Sequence, residues 1–152
     1  MRRFVVIGLV IAVIAALLVP WVQARSRRKL YRDLGPELKS LNYREVSFRN
    51  GDLQLAGMLF LPETKGPHPA AVFIHGSGTS VRDNSWYLSV AEHLRKNGIA
   101  VLLPDKRGSE KSGGDWATAS FADLAGDAAA AVDFVRKQPQ FARSPVGIIG
   151  FS

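Results

Sequence analysis

Three short stretches carry the residues best equipped for covalent chemistry: Gly150-Phe151-Ser152, His75-Gly76-Ser77-Gly78 and Asp105-Lys106-Arg107-Gly108. A serine hydroxyl attacks an acyl carbonyl once a neighbouring base takes its proton. In Gly-x-Ser directly after an apolar run, the glycine permits a sharp strand-to-helix turn that lifts Oγ clear of a sheet, the first half of the pattern G-x-S-x-G. Taken alone, the tripeptide reads as an ordinary serine at the end of a strand. The second stretch adds something the first lacks. An acyl-transfer transition state carries an oxyanion, and glycines let backbone N–H donors approach it closely. Gly76 and Ser77 are the candidate donors. His75 is read as orienting that loop by hydrogen bonding rather than as a base.

These stretches need elements to hold them. Residues 43–49 alternate polar and apolar, Asn50-Gly51-Asp52 supplies turn residues, and residues 53–61 alternate again, which predicts a β-hairpin. Residues 70–74 (AAVFI), 99–103 (IAVLL) and 146–151 (VGIIGF) are short apolar runs, as in strands buried on both faces. Between them lie two helical patterns. The first is capped by Asp83 or Ser85 and runs to about Asn97, with Trp86, Val90, Ala91 and Leu94 on its buried stripe. The second opens with the capping box Ser120–Asp123 and runs to about Lys137, burying Leu124, Ala128, Val132 and Val135. The expected architecture is α/β: a β-hairpin followed by β-α-β-α-β, mostly parallel, with helices on both faces. Ligands of such sheets bind at the carboxyl ends of the strands. All three chemistry-bearing stretches begin there.

HGSG, DKRG-x-x-x-S and G-F-S thus follow three successive buried strands. In that order they resemble the α/β-hydrolase superfamily, particularly its bacterial serine-esterase and acyl-thioester-hydrolase-like branches, over residues 43–152. The resemblance implies Ser152 as nucleophile, backbone N–H groups at Gly76 and Ser77 as an oxyanion hole, and Asp105 and Arg107 as structural residues tying the loop beside the site. It implies a small-molecule acyl substrate, an ester or thioester, and no metal or organic cofactor. The family pattern D-x-R-G-x-G-x-S has glycine where this chain has Glu110, which leaves open how a non-glycine residue meets any demand there for positive φ. Family order places the acid and the histidine after the serine, whereas His68, His75 and His93 all precede Ser152. The expectation is an N-terminal piece of a longer enzyme whose triad acid and base lie beyond residue 152. Two other readings stay open: a non-catalytic, membrane-tethered α/β binding domain, and a dinucleotide-binding unit, although Gly147-Ile148-Ile149-Gly150 lacks the G-x-G start of that fingerprint.

The net charge of +7 would suggest nucleic acid if it were spread over a folded face. It is not. Arg2, Arg3, Arg25, Arg27, Arg28, Lys29 and Arg32 precede every acidic residue, and the remaining 13 basic side chains balance 13 acidic ones. No nucleic-acid partner is expected. Between the basic clusters lies an uncharged run, Phe4 to Val22, whose length as a helix is roughly 28 Å, close to the hydrocarbon core of a bilayer. It reads as an uncleaved anchor (residues 1–24, then a basic linker over 25–42), placing the protein on the membrane in the cell envelope. The alternative is a signal peptide cleaved after Ala24 and export of the remainder. The chain has no cysteine, which excludes disulfides and thiolate metal sites.

Overall fold

The computed structural model describes residues 35–151 together with the isolated position Ala16. The apolar run Phe4–Val22, the expected cleavage point at Ala24 and Ser152 lie outside the described residues. Among the described residues, no helix is long and apolar enough to cross a membrane.

Five strands form one sheet: β1 (Arg44–Asn50), β2 (Leu53–Phe60), β3 (Ala70–Ile74), β4 (Ala100–Pro104) and β5 (Val146–Gly150), in the order β1-β2-β4-β3-β5. The β1–β2 hairpin turns at Gly51, whose φ of 56° is the left-handed conformation that the Asn-Gly signal requires. β2 then pairs antiparallel with β4, while β3 runs parallel to both β4 and β5. The described sheet is therefore evenly mixed rather than mostly parallel. The second half of β2 also departs from expectation. Its alternating sequence predicts one wet face, yet Leu55 to Phe60 are all buried. The cause is its position: β2 is an interior strand, with β1 and β4 on its two edges and side chains from both layers on its faces.

The layers are legible in the core. Leu55, Leu59, Val72, Ala100 and Leu102 face one way with Ala131, Val132, Val135 and Phe141; Met58, Phe60, Phe73, Val101 and Leu103 face the other with Leu88 and Ala91. Successive residues of β4 alternate between the two clusters, as the two-residue period of a strand dictates. Each fully buried leucine or phenylalanine contributes about 1.5–3 kcal/mol through burial, so truncating Phe73, 1% exposed, would open a cavity costing about 3–5 kcal/mol.

Helix α1 (Ser85–Lys96) covers one face and α2 (Phe121–Lys137) the other. The cap of α1 is neither Asp83 nor Ser85 but Asn84, whose side-chain oxygen accepts from the amides of Trp86 and Tyr87. Ser85 is buried as the first helical residue. Trp86 is 57% exposed, because the stripe that meets the sheet runs through Leu88 and Ala91, flanked by Tyr87, Val90 and Leu94. Gly98, at φ 79°, ends the helix, and the amides of Gly98 and Ile99 return to the carbonyls of Arg95 and Leu94. At α2 the capping box forms as expected: Asp123 N–H donates to Ser120 Oγ, and Ser120 N–H donates to the Asp123 carboxylate. Its buried residues are Ala131, Val132 and Val135, while Leu124 and Ala128 instead line a cavity. Upstream, part of the stretch read as a linker is folded: a short turn at Leu38–Ser40 sets Leu38 and Leu41 against the α1-side core.

Candidate active site

The route of the chain creates a crevice. From β3 the chain crosses through α1 to β4 on one side, and from β4 it crosses through α2 to β5 on the other side of β3. Connections that leave adjacent parallel strands in opposite directions part at the strands' carboxyl ends, and that gap is where ligands bind. Here it lies between the end of β3, which continues into His75-Gly76-Ser77, and the end of β5, which continues into Phe151 and Ser152. The ladder runs one residue past β5: the Phe151 amide donates to the Ile74 carbonyl at 3.0 Å. The Phe151 ring packs on Phe73 and Tyr87, with centroids 5.1 and 4.6 Å away. The last described residue is thus fixed by one backbone bond and two ring contacts beside the glycine loop.

At the mouth of the crevice is a cavity of about 550 Å³. Phe48, Trp116, Phe121, Leu124 and Phe151 supply apolar walls, and His75, Gly76, Ser77 and Lys106 line it as well. Phe121 is 91% exposed at its rim.

His75 has one ring nitrogen, Nε2, hydrogen-bonded to the Pro104 carbonyl. The carbonyl can only accept, so Nε2 carries the proton. Nδ1 is buried without a partner, and the ring stands edge-on to Tyr87. Burial pushes the imidazole below its ordinary value; the Pro104 bond opposes that shift, and nearby Lys106 adds to it. His75 is therefore a neutral tether between the ends of β3 and β4. The hydroxyl of Tyr87 accepts from the Gly76 amide at 3.5 Å. Ser77 is exposed at the tip of the loop.

Asp105, 5% exposed, leaves β4 and accepts two bonds from Arg82, at 2.8 Å from Nε and 2.7 Å from Nη2. Its Oδ2 also accepts from the Lys111 amide at 3.2 Å. Arg82 reaches Glu45 on β1 with Nη1, and its own backbone amide donates to Glu110. Hydrogen bonding to Asp105 raises the guanidinium further above its ordinary range, against the opposing pull of burial. Ser112 Oγ donates to the Asp105 carbonyl and accepts from the Ala56 amide, which pins the loop against β2. Within that loop Glu110 adopts φ 50°. The position does demand the left-handed region, and a glutamate meets the demand while its carboxylate bonds the Arg82 amide. Arg107 turns the opposite way and grips Asp127 of α2 through two bonds of 2.8 Å. Asp105 and Arg107 thus anchor one loop at two ends, to the segment before α1 and to α2 itself.

A family model described as serine aminopeptidase, S33, matches residues 65–152. The chain belongs to this family. Its fold is that of α/β-hydrolases. It is similar to an esterase of Pyrococcus furiosus (26% identity, TM-score 0.61, over 74% of this chain and 41% of that one). It is similar to a dienelactone hydrolase of Anabaena variabilis (27% identity, TM-score 0.60, 73% and 52%). An uncharacterized protein of Pseudomonas aeruginosa is 30% identical over 118 residues, and its crystal structure superimposes with a TM-score of 0.62. This S33-family chain spans about a third of the length of that relative, 32%.

In this S33 chain, the expected site residues Gly76, Ser77, His75, Asp105 and Arg107 all surround the cavity. His68 is bonded to the Thr64 carbonyl and His93 is exposed on α1, both away from the crevice lining. Among the described residues no group of three or more His, Cys, Asp or Glu side chains is placed to hold a metal ion. Sequence reasoning assigned no role of their own to Arg82, Lys106 and Trp116. Arg82 had a faint signal, as the one basic residue between the glycine loop and α1; Lys106 and Trp116 stood in a loop whose path no local pattern fixes.

Proposed function

We propose that this chain is the nucleophile-bearing portion of a serine hydrolase that cleaves an ester, thioester or related acyl bond of a small molecule. One observation carries the reading: β5 lies on the far side of β3 from β4, and Phe151, the last described residue and the one that precedes Ser152 in sequence, is bonded to the end of β3 at the crevice edge and lines the same cavity as Gly76 and Ser77. In this reading Ser152 Oγ attacks the acyl carbon while a base takes its proton. The carbonyl oxygen becomes an oxyanion and accepts from backbone amides at the Gly76–Ser77 loop and just past Ser152. Collapse expels the alkoxide or thiolate, protonated by the conjugate acid of the base, and water then hydrolyses the acyl-enzyme.

His75 does not serve as that base, because Nε2 is committed to Pro104 and Nδ1 is sealed in. The base and its acid partner are assigned to sequence following Ser152, in keeping with relatives of much greater length. The apolar cavity walls suit an acyl chain, and no cofactor is required. Phe4–Val22 is proposed as the membrane attachment.

The test is hydrolysis of p-nitrophenyl esters of graded chain length by the full-length protein. The reading expects turnover that Ser152→Ala reduces by a factor on the order of 10⁶ in kcat. A folded Ser152→Ala protein with undiminished turnover would refute it.

A further inference from the structure

Lys106 sits between the two loop anchors and does neither of their jobs. Its ammonium donates to two carbonyls of the glycine loop, Gly76 O at 2.9 Å and Gly78 O at 2.8 Å, and lies over the Trp116 ring, 4.7 Å from the centroid. Its backbone amide meets Ser80 at the far end of the same loop. Among the described residues, the other bonds of that loop, from the Gly76 amide to the Tyr87 hydroxyl and from His75 to the Pro104 carbonyl, do not reach the Gly76 and Gly78 carbonyls. Gly78 has φ 85°, and a Cβ built there would meet nothing within 4 Å. A glycine in open space has many conformations available, so packing does not set the direction of its neighbours' amides.

A trans peptide unit is planar, with C=O and N–H on opposite sides. Fixing the direction of the Gly76 carbonyl therefore fixes the Ser77 N–H the other way, and the Gly78 carbonyl does the same for the Thr79 N–H. Lys106 follows β4, and β4 and β5 flank β3 on opposite sides. A carbonyl drawn toward Lys106 turns the Ser77 amide away from β4, toward the β5 side of the crevice.

We propose that Lys106 is a positioning residue: by holding the Gly76 and Gly78 carbonyls, its ammonium aims the Ser77 amide at the place where a substrate oxyanion forms. The proposal rests on the reading of Ser152 as nucleophile and Ser77 N–H as oxyanion donor. Trp116 and the two carbonyls hold the ammonium where burial already disfavours its charge, so the contacts are ones it would not make idly.

The experiment uses the full-length protein with p-nitrophenyl butyrate and, as transition-state mimic, an alkyl boronic acid. Wild type, Ser152→Ala, Lys106→Met and Lys106→Arg are compared. The expected result for Lys106→Met is a fall in kcat of about 10²-fold, KM within about threefold, and boronate affinity weakened by the same factor as kcat. Lys106→Arg, which keeps the charge and several donors, should stay within about tenfold of wild type in kcat. Lys106→Met with wild-type kcat, or a loss carried by KM with boronate affinity intact, would overturn the proposal. If Lys106→Met does not fold, Lys106→Arg decides: kcat within tenfold upholds it, and a folded protein with a larger loss overturns it. Failure of the parent reading looks different, since wild type and Ser152→Ala would then turn over the ester alike.

Discussion

Replacing Arg82 by methionine isolates the buried ion pair beneath the crevice. The substitution keeps most of the apolar stem and removes the two bonds of 2.8 and 2.7 Å to Asp105. It leaves the Asp105 side chain, 2% exposed, with the Lys111 amide at 3.2 Å as the remaining partner of its carboxylate. The lost bond to Glu45 adds little, because that side chain is 44% exposed and keeps Lys111 at 3.0 Å. An orphaned buried carboxylate dominates, and breaking such a pair by removing one partner costs about 3–5 kcal/mol. With a urea slope of about 2 kcal/mol/M, the midpoint should fall by roughly 2 M. The assay is urea unfolding of the full-length protein followed by tryptophan fluorescence. The double variant Arg82→Met/Asp105→Asn should recover at least about 1 kcal/mol relative to the sum of the two single changes, since the charge left behind is gone. A single variant within about 1 kcal/mol of wild type, or strictly additive changes, would refute the reasoning.

Four further outcomes are expected. Glu110→Gly should be more stable than Glu110→Ala by about 1 kcal/mol, because both lose the bond to the Arg82 amide but glycine alone relieves the φ of 50°; equal unfolding midpoints would contradict this. His75 is held below its ordinary 6.5 chiefly by burial, so the unfolded chain takes up its proton first; the stability owed to the neutral ring is present above about pH 6.5 and is lost as pH falls through and below it. His75→Asn should flatten that part of the stability profile between pH 5 and 7.5, and an unchanged slope would count against a buried neutral ring. Arg107→Lys should weaken the grip on Asp127 by about 1–2 kcal/mol, since an ammonium cannot reproduce the two-pronged bond; a thermal midpoint equal to wild type would argue otherwise. Residues 33–152 alone should show no sharp thermal transition by circular dichroism, because β5 is an edge strand of the described sheet with Ile148 59% exposed; a steep cooperative melt would overturn that.

What the sequence made legible was whatever rests on short-range chemistry. The Asn50-Gly51 turn, the Ser120–Asp123 capping box and the three apolar runs each announce their element within a few residues, and their order dictates an α/β sheet. The ends of β3, β4 and β5 followed at once, and with them Gly76, Ser77 and Asp105. What stayed hidden depends on who sits next to whom. β2 looked half-wet because its sequence cannot show that β4 lies on its second edge. Trp86 looked buried because helical spacing alone does not say which of two adjacent stripes meets the sheet. The pairing of Arg82 with Asp105 spans 23 residues and two loops, and the reach of Lys106 back to Gly76 spans 30. Asp105 was expected to tie the loop, but its partner was not nameable without the fold.

The most direct measurement is a crystal structure of the full-length protein after reaction with an alkyl fluorophosphonate. The proposed function predicts phosphorus bonded to Ser152 Oγ, with the phosphoryl oxygen accepting from the Ser77 amide at about 2.7–3.1 Å. Phosphorus on another residue, or a phosphoryl oxygen turned away from the Gly76–Ser77 loop, would contradict the proposed function.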